Sequence, residues 1–170
     1  MRDPWFERAL VLLCQYNEEG ALGLIINREG DVNIQEVIDR LTEEHGDFGP
    51  LLDGEQLTRW GGPVGDGAGF VVFSGTVEDG EGWNIGPVAV SPSLDRLNEL
   101  ILAKASFELV LGYAGWGPGQ LAEEIEKGSW LSVDVDPRIV FETPTEERYE
   151  KALAQLGLTP EMVWMTPINE

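Results

Sequence analysis

Two continuous apolar runs dominate the start of the chain. Residues 9–16 and residues 21–27 are separated by the polar stretch 17–20, which ends in Gly20. Apolar runs on either side of a short loop that contains glycine are typical of a β-hairpin. The pattern therefore predicts two antiparallel strands at the beginning of the fold.

Helical periodicity begins directly after this hairpin. Apolar residues recur at i, i+3, i+4 and i+7 over residues 34–41, and Asn33 with Glu36 forms a capping pair in front of them. The pair 91–92 (Ser-Pro) has the order of an N-cap and a first helical residue, ahead of an apolar stripe over 94–101. These signals predict the first two helices.

Two further helices are predicted downstream. One is expected from 118 to 127, before Gly128. The sequence 143–146 (Thr-Pro-Thr-Glu) has the form of a capping box that opens another helix, and Gly157 is expected to close it.

The remaining apolar segments have the length and alternation of strands. They lie at 69–74, 87–90, 107–111 and 130–135, and a short element is expected at 57–60. Because there is no repeat and no linker long enough to separate domains, we interpret residues 1–170 as one α+β domain. Its helices, about four, are too few and too unevenly spaced for a regular doubly wound sheet.

The composition excludes several classes of protein. The chain has 11 Lys and Arg residues against 31 Asp and Glu residues, a formal charge of -20. Proteins bind nucleic acids through basic side chains that release counterions from phosphates, so this charge disfavours direct nucleic-acid binding. One cysteine and one histidine cannot build an internal disulfide or a Cys/His zinc site. The sequence therefore predicts neither a metal nor another cofactor.

The sequence also bears on location. No apolar stretch is long enough to cross a bilayer, and the start of the chain lacks the pattern of a signal peptide. A single cysteine fits a reducing compartment. We therefore expect a soluble cytoplasmic protein with no membrane partner.

The glycine-rich stretch 112–119 is the most informative candidate for binding, since it lies between a predicted strand and a predicted helix. The N–H groups at such a helix start can hold an anion. Its Gly-Trp-Gly begins like a dinucleotide fingerprint, but Gln120 replaces the third glycine, and Glu123 and Glu124 would repel phosphate. A structural crossover is favoured over a nucleotide site.

Few other side chains are candidates for chemistry. Trp116, Gln120 and Trp130 allow two interpretations: they form the wall of a small-ligand pocket, or both indoles belong to the core. Cys14 is expected to be a buried, unreactive thiol, because an apolar strand disfavours the thiolate. His45 has no recognisable catalytic partner in the sequence.

Four motifs occur together in one known family. They are 3–9 (Asp-Pro-Trp-Phe-Glu-Arg-Ala), 19–27 (Glu-Gly-Ala-Leu-Gly-Leu-Ile-Ile-Asn), 61–64 (Gly-Gly-Pro-Val) and 111–121 (Leu-Gly-Tyr-Ala-Gly-Trp-Gly-Pro-Gly-Gln-Leu), the last continuing through Glu124 and Gly128 to Trp130 and Leu131. With these motifs in order over nearly the whole chain, the sequence resembles the YqgE/AlgH family of bacterial proteins.

The resemblance implies a cytosolic α+β protein whose mixed or antiparallel sheet curls into a partial barrel flanked by helices. It implies a transcriptional-regulator label but no catalytic residues. The chain departs from the family at two places: only Met1 and Arg2 stand where relatives have a further apolar strand, and Tyr149 stands where Trp is common. A missing strand would expose a sheet edge, through which we expect a homo-oligomer to form.

Three functions remain open. The first is a non-catalytic binding or regulatory module for a small molecule or a protein, with a surface formed by Asn27, Gly61, Gly62, Tyr113, Trp116, Gln120 and Trp130. The second is an enzyme with a ligand pocket at the same loop, which requires a group with a perturbed pKa. The third, direct DNA binding, is opposed by the charge. Because glycines and aromatic rings shape surfaces more readily than they move protons, the first is preferred.

Overall fold

The computed structural model describes residues 7–51 and 53–165, which form one sheet with helices packed on both of its faces. The strands are β1 (Val11–Asn17), β2 (Gly20–Ile25), β3 (Glu29–Asn33), β4 (Leu57–Trp60), β5 (Val64–Ser74), β6 (Trp83–Ile85), β7 (Val88–Ser91) and β8 (Phe107–Trp116). The helices are α1 (Ile34–His45), α2 (Leu94–Leu102), α3 (Gln120–Glu126), α4 (Pro137–Phe141), α5 (Thr145–Ala154) and α6 (Pro160–Met165).

β8 is the central strand of the sheet. The strands follow the order β1-β2-β8-β5-β7-β6, while β4 pairs with β8 in parallel and β3 pairs with β4. All pairings other than that of β4 with β8 are antiparallel. The sheet curls until β1 and β6, its two ends, approach each other. The expected α+β fold, with a mixed sheet that curls into a partial barrel flanked by helices, is thereby confirmed.

Alternation along β5 builds a separate apolar core on each face of the sheet. Val71 and Phe73 point to one face, where they pack with α1 and α2. Phe70 and Val72 point to the other face, where they pack with β1, β2 and α4. Successive side chains of a strand point to opposite faces, so this apolar run is buried on both sides.

The starts of the first two helices differ in how well the sequence predicts them. Asn33 Oδ1 accepts a hydrogen bond from the Glu36 N–H at 2.9 Å, so the predicted cap of α1 is confirmed. The predicted cap at Ser91 is wrong, since Ser93 is the N-cap of α2. The Ser91 hydroxyl instead donates to the Glu81 carbonyl at 2.9 Å.

The capping box expected at 143–146 is also wrong. Pro144 holds the N-cap position of α5, and no side chain caps it. The Thr143 hydroxyl donates instead to the Arg138 carbonyl at 3.0 Å, which ties the start of α5 to α4.

The described residues contain six helices rather than the expected four. α4 and α6 account for the difference, because each is too short to show a periodic apolar stripe. Within the same residues, no helix combines the length and the apolar character that crossing a membrane requires.

Residues 130–135 form no strand, although their alternation predicts one. No strand in the described part of the chain pairs with them. Conversely, β3 and β6 have no counterpart among the predicted strands, since β3 is largely polar and β6 has only 3 residues.

Candidate functional site

The glycine-rich run at the end of β8 leads into α3 through a turn. Gly119 occupies the N-cap position with a φ of 74°, a left-handed conformation that suits glycine. The Gly117 N–H donates to the side-chain oxygen of Gln120 at 2.9 Å, and the Gln120 N–H donates to the Gly117 carbonyl at 3.1 Å. Two backbone N–H groups therefore donate within the turn itself, which gives no support to an anion site at this helix start.

The carboxylate of Glu124 joins three of the predicted site residues. Its Oε1 accepts from Trp116 Nε1 at 3.2 Å and from Trp130 Nε1 at 2.9 Å. Its Oε2 accepts from Gln120 Nε2 at 2.9 Å. The two indole rings meet edge to face, with centroids 5.8 Å apart. Sequence reasoning treated Glu124 only as a source of repulsion, although the i, i+4 spacing from Gln120 on a helix could have linked the two.

A large cavity opens beside this pair of indoles. Its volume is about 740 Å³, and it is bounded by β1, residues 128–136, α4 and α5. Trp116, which is only 6% exposed, and Trp130 both line it. Most of the other lining side chains are aliphatic, among them Leu10, Leu12, Ile26, Val133, Val135 and Leu153.

Three exposed apolar side chains border the same cavity. Ile125, Leu131 and Leu156 are 38%, 55% and 42% exposed, and all three line it. Exposed apolar side chains that gather in one patch mark a surface where a ligand or partner binds. The cavity and this patch are therefore one continuous apolar feature.

The charged residues that line the cavity are mostly acidic. They are Glu7, Glu126, Asp134 and Asp136 against Arg8 and Lys127. Lys127 donates to Glu123 at 2.8 Å, and this carboxylate raises the pKa of the ammonium group. The charge around the cavity therefore favours a neutral or cationic ligand over an anion.

Tyr149 on α5 brings a hydroxyl group to the cavity. Burial raises the pKa of this phenol, and the positive charge of Arg8 partly opposes the effect. The phenol is therefore neutral at physiological pH and can donate or accept a hydrogen bond.

Three other predicted site residues lie where two segments of the backbone pass close to each other. A Cβ at Gly61 would overlap the Gly112 carbonyl, and a Cβ at Gly62 would overlap the backbone of Tyr113. Both glycines therefore permit a close approach that a side chain would prevent. Tyr113 packs edge to face on Phe70, with centroids 6.1 Å apart. Gly61, Gly62 and Tyr113 are not among the residues that line the cavity.

Asn27 fixes the chain that enters β1. Its Oδ1 accepts from the Leu10 N–H at 2.8 Å, and its Nδ2 donates to the Arg8 carbonyl at 2.8 Å. Arg8 and Leu10 line the cavity, whereas Asn27 is not among the lining residues.

A buried ionic cluster, Arg59–Glu108–Arg148, holds α5 against the sheet. Glu108 on β8 accepts from Arg59 on β4 at 3.3 and 3.2 Å. It also accepts two hydrogen bonds from Arg148 on α5, one of them at 2.7 Å. Since α5 forms a wall of the cavity, the cluster fixes that wall. Sequence reasoning missed it, and its only signal is a lone carboxylate inside the apolar run of β8.

The lone cysteine and histidine lie apart from this chemistry. Burial raises the pKa of the Cys14 thiol to about 12, as expected for an unreactive thiol in an apolar strand. His45 is exposed at the end of α1, 3.6 Å from Glu44. Among residues 7–51 and 53–165, no group of His, Cys, Asp and Glu is arranged to hold a metal ion.

Known sequences that match this chain come from AlgH-like and UPF0301 proteins. The family model described as AlgH-like (DUF179) matches residues 1–161. UPF0301 proteins of Burkholderia vietnamiensis and Burkholderia ambifaria are each 41% identical to this chain over 168 residues, covering 96% of this chain and 86% of the relative.

Solved structures agree with the sequences. The solution structure of AlgH from Pseudomonas aeruginosa has a TM-score of 0.75 at 34% identity, over 98% of this chain and 88% of that one. The crystal structure of the protein DIP2367 from Corynebacterium diphtheriae has a TM-score of 0.71 at 20% identity, over 98% of this chain and 86% of that one, and shows a shared fold. From the family model and these relatives together, the chain belongs to the AlgH-like family.

Proposed function

We propose that this protein is a non-catalytic binding module that takes an apolar ligand into the cavity beside Trp116 and Trp130. The cavity carries the proposal: about 740 Å³ of space, lined mainly by aliphatic and aromatic side chains. Small-molecule sites have volumes of roughly 300–1,000 Å³, a mostly apolar lining and a few polar groups that orient the ligand. The phenol of Tyr149 is such a group.

Fixed walls support this function. Glu124 holds the N–H groups of both indoles, and the ionic cluster holds α5. A site whose walls are already in place loses little conformational entropy when a ligand binds. Of the seven residues predicted to form a binding surface, the two indoles are the ones that contact the ligand in this proposal.

The states of Cys14 and Glu124, neither of which lines the cavity, favour binding over catalysis. Acid–base and nucleophilic catalysis need a side chain whose pKa is matched to its task. The raised pKa of Cys14, about 12, keeps its thiol protonated. The Glu124 carboxylate already accepts three hydrogen bonds. An enzyme is therefore the second candidate, and direct DNA binding ranks below it because of the charge of -20.

A regulatory role fits the same geometry. Ile125, Leu131 and Leu156 border the cavity and are exposed, so a ligand that fills the cavity alters a surface that another protein can contact. In this proposal the ligand, rather than a reaction, is the signal that the protein transmits.

The uncharged probe N-phenyl-1-naphthylamine, which fluoresces in apolar surroundings, tests the proposal. We expect saturable binding, and we expect Ala152→Phe to weaken it at least tenfold. Ala152 is buried on α5 and lines the cavity, so the added ring occupies the ligand's space. Ala154→Phe is the matched control, since Ala154 is exposed at the end of the same helix.

Two results would contradict the proposed site. One is the absence of probe binding to the unaltered protein. The other is equal binding by the two variants, with circular dichroism showing that both are folded.

A further inference from the structure

Among residues 7–51 and 53–165, no strand pairs with the outer edge of β1, which faces the cavity. The Leu10 carbonyl accepts from the Ile26 N–H at 3.0 Å, so Leu10 faces β2. The Ile25 N–H turns the other way and donates to the Gly61 carbonyl at 2.9 Å. By the alternation of an antiparallel ladder, the N–H and C=O groups of Val11, which is opposite Ile25, point away from β2.

The same alternation turns the backbone groups of Leu13 to the outer edge. Val11 and Leu13 both line the cavity. In the part of the chain that the structure describes, β1 pairs with β2 alone. Within those residues β1 is an edge strand, which approaches β6 where the sheet curls round and borders the apolar space.

A second segment that belongs to no helix or strand borders the same space. Residues 131–135 line the cavity, and none of the backbone–backbone hydrogen bonds within residues 7–51 and 53–165 involves them. Their side chains alternate between apolar and polar, as in a strand, although no strand of the described residues pairs with them. The cavity is thus bordered by β1 on one side and by a strand-like segment on another.

We infer that the cavity receives an extended apolar peptide segment of another protein, which adds as a strand to the edge of β1 and inserts alternate side chains. This inference rests on the proposed function and names the ligand. A hydrocarbon chain would fill the apolar space but would leave the N–H and C=O groups of both borders unpaired. A peptide strand satisfies both, because its backbone pairs while its side chains fill the space.

The sequence of β1 lacks the usual protection against strand addition. Exposed edges are commonly guarded by charged side chains, proline or a bulge. The strand Val11–Asn17 contains no charged residue and no proline, and its one irregularity is the bulge between Leu13 and Gln15. Val11 and Leu13 both precede the bulge, so the pairing register with β2 is regular up to Leu13.

Charge indicates what should flank the bound segment. Four acidic residues and two basic residues line the cavity, and the whole chain carries a charge of -20. Lys or Arg on either side of an apolar core would be attracted, whereas a second copy of this acidic chain would be repelled over long distances. A peptide with basic flanks is therefore the favoured occupant.

The experiment uses a fluorescein-labelled peptide with a core of alternating Val and Ile between two Lys at each end. The control peptide has the same side chains but carries N-methyl groups at alternate core residues, which removes the N–H donors along one edge. By fluorescence anisotropy, we expect the control peptide to bind at least tenfold more weakly. Ala152→Phe should weaken binding of the parent peptide to the same degree, and Ala154→Phe should leave it unchanged.

Several outcomes would overturn the inference. If N-phenyl-1-naphthylamine binds but the peptide does not, or if both peptides bind equally, strand addition is wrong while the apolar site stands. If neither the probe nor the peptide binds, the proposed function fails as well. If sedimentation of the protein alone shows a dimer that Val11→Pro abolishes, the edge serves a second copy instead of a partner peptide.

Discussion

Replacing members of the ionic cluster should reveal its unequal charge balance. The cluster contains two guanidinium groups and one carboxylate, and the side chains of Arg148 and Glu108 are only 3% and 6% exposed. Arg148→Met leaves Glu108 paired with Arg59, a balanced pair. Glu108→Gln leaves two buried cations without the carboxylate that they share.

The hydrogen bonds set the size of each effect. Arg148→Met removes two hydrogen bonds to Glu108 and frees the carbonyls of Ile26 and Thr143. Partial compensation by the remaining pair limits the loss to about 3 kcal/mol, within the range for a few lost charge-assisted bonds. Glu108→Gln leaves two buried cations without a carboxylate. Removing the partner of a single buried charge already costs about 3–5 kcal/mol, so we expect the free energy of unfolding to fall by about 5 kcal/mol or more.

Urea unfolding followed by circular dichroism measures both free energies. A domain is stable by only about 5–15 kcal/mol, so Glu108→Gln should approach complete unfolding while Arg148→Met remains folded. Arg138→Met, which removes an exposed ion pair with Asp136, is the control and should change stability little. A loss for Arg148→Met that equals or exceeds the loss for Glu108→Gln would refute the argument from charge balance.

Changes at three other residues test single features of the fold. Cys14 should react slowly with a thiol reagent in the native protein and fast in denaturant. Because its folded pKa of about 12 exceeds the unfolded value of 9.0, the free energy of unfolding should fall as the pH rises from 9 to 12. Cys14→Val should remove this loss. Rapid labelling of the native protein would contradict the burial of the thiol. Trp116→Ala should lower the free energy of unfolding by about 3–5 kcal/mol in urea titrations, since the indole is buried; an unchanged midpoint would show that it is not a packing residue. Gly62→Ala should lower the melting temperature by many degrees, because its φ of 151° and the adjoining backbone of Tyr113 leave no room for a Cβ; a normal melt would contradict this close approach.

The sequence predicts those parts of the fold that depend on local patterns. The hairpin of β1 and β2, the capped start of α1 and the buried strands β5 and β8 follow from apolar periodicity and from side chains within a few residues. The predictions fail where a side chain or segment interacts with a group that is distant in sequence. Ser91 lies two residues before the N-cap position of α2, where its hydroxyl donates to the Glu81 carbonyl and accepts from the Ser93 N–H, so Ser93 caps the helix instead. Residues 130–135 form no strand because pairing depends on a neighbour that their own sequence cannot specify.

The candidate site shows the same division. Trp116, Gln120 and Trp130 are close in sequence, so a strand, turn and helix bring them together predictably. Their common partner Glu124 was within reach of helical spacing. The cavity depends instead on how α5 packs over the sheet, and a carboxylate with two arginines from distant elements determines this packing. No periodicity in the chain indicates such a contact.

Methyl NMR of the protein during titration with N-phenyl-1-naphthylamine shows on which face of the sheet an apolar ligand binds. The cavity lies on the face of the sheet that carries α4 and α5, whereas α1 and α2 cover a separate core on the other face. We expect shifts of the methyl resonances of Val133, Val135 and Leu153, which line the cavity, while those of Ile38 and Leu97 stay unchanged. Shifts confined to Ile38 and Leu97, or no shifts at saturating probe, would contradict an apolar binding site beside the two indoles.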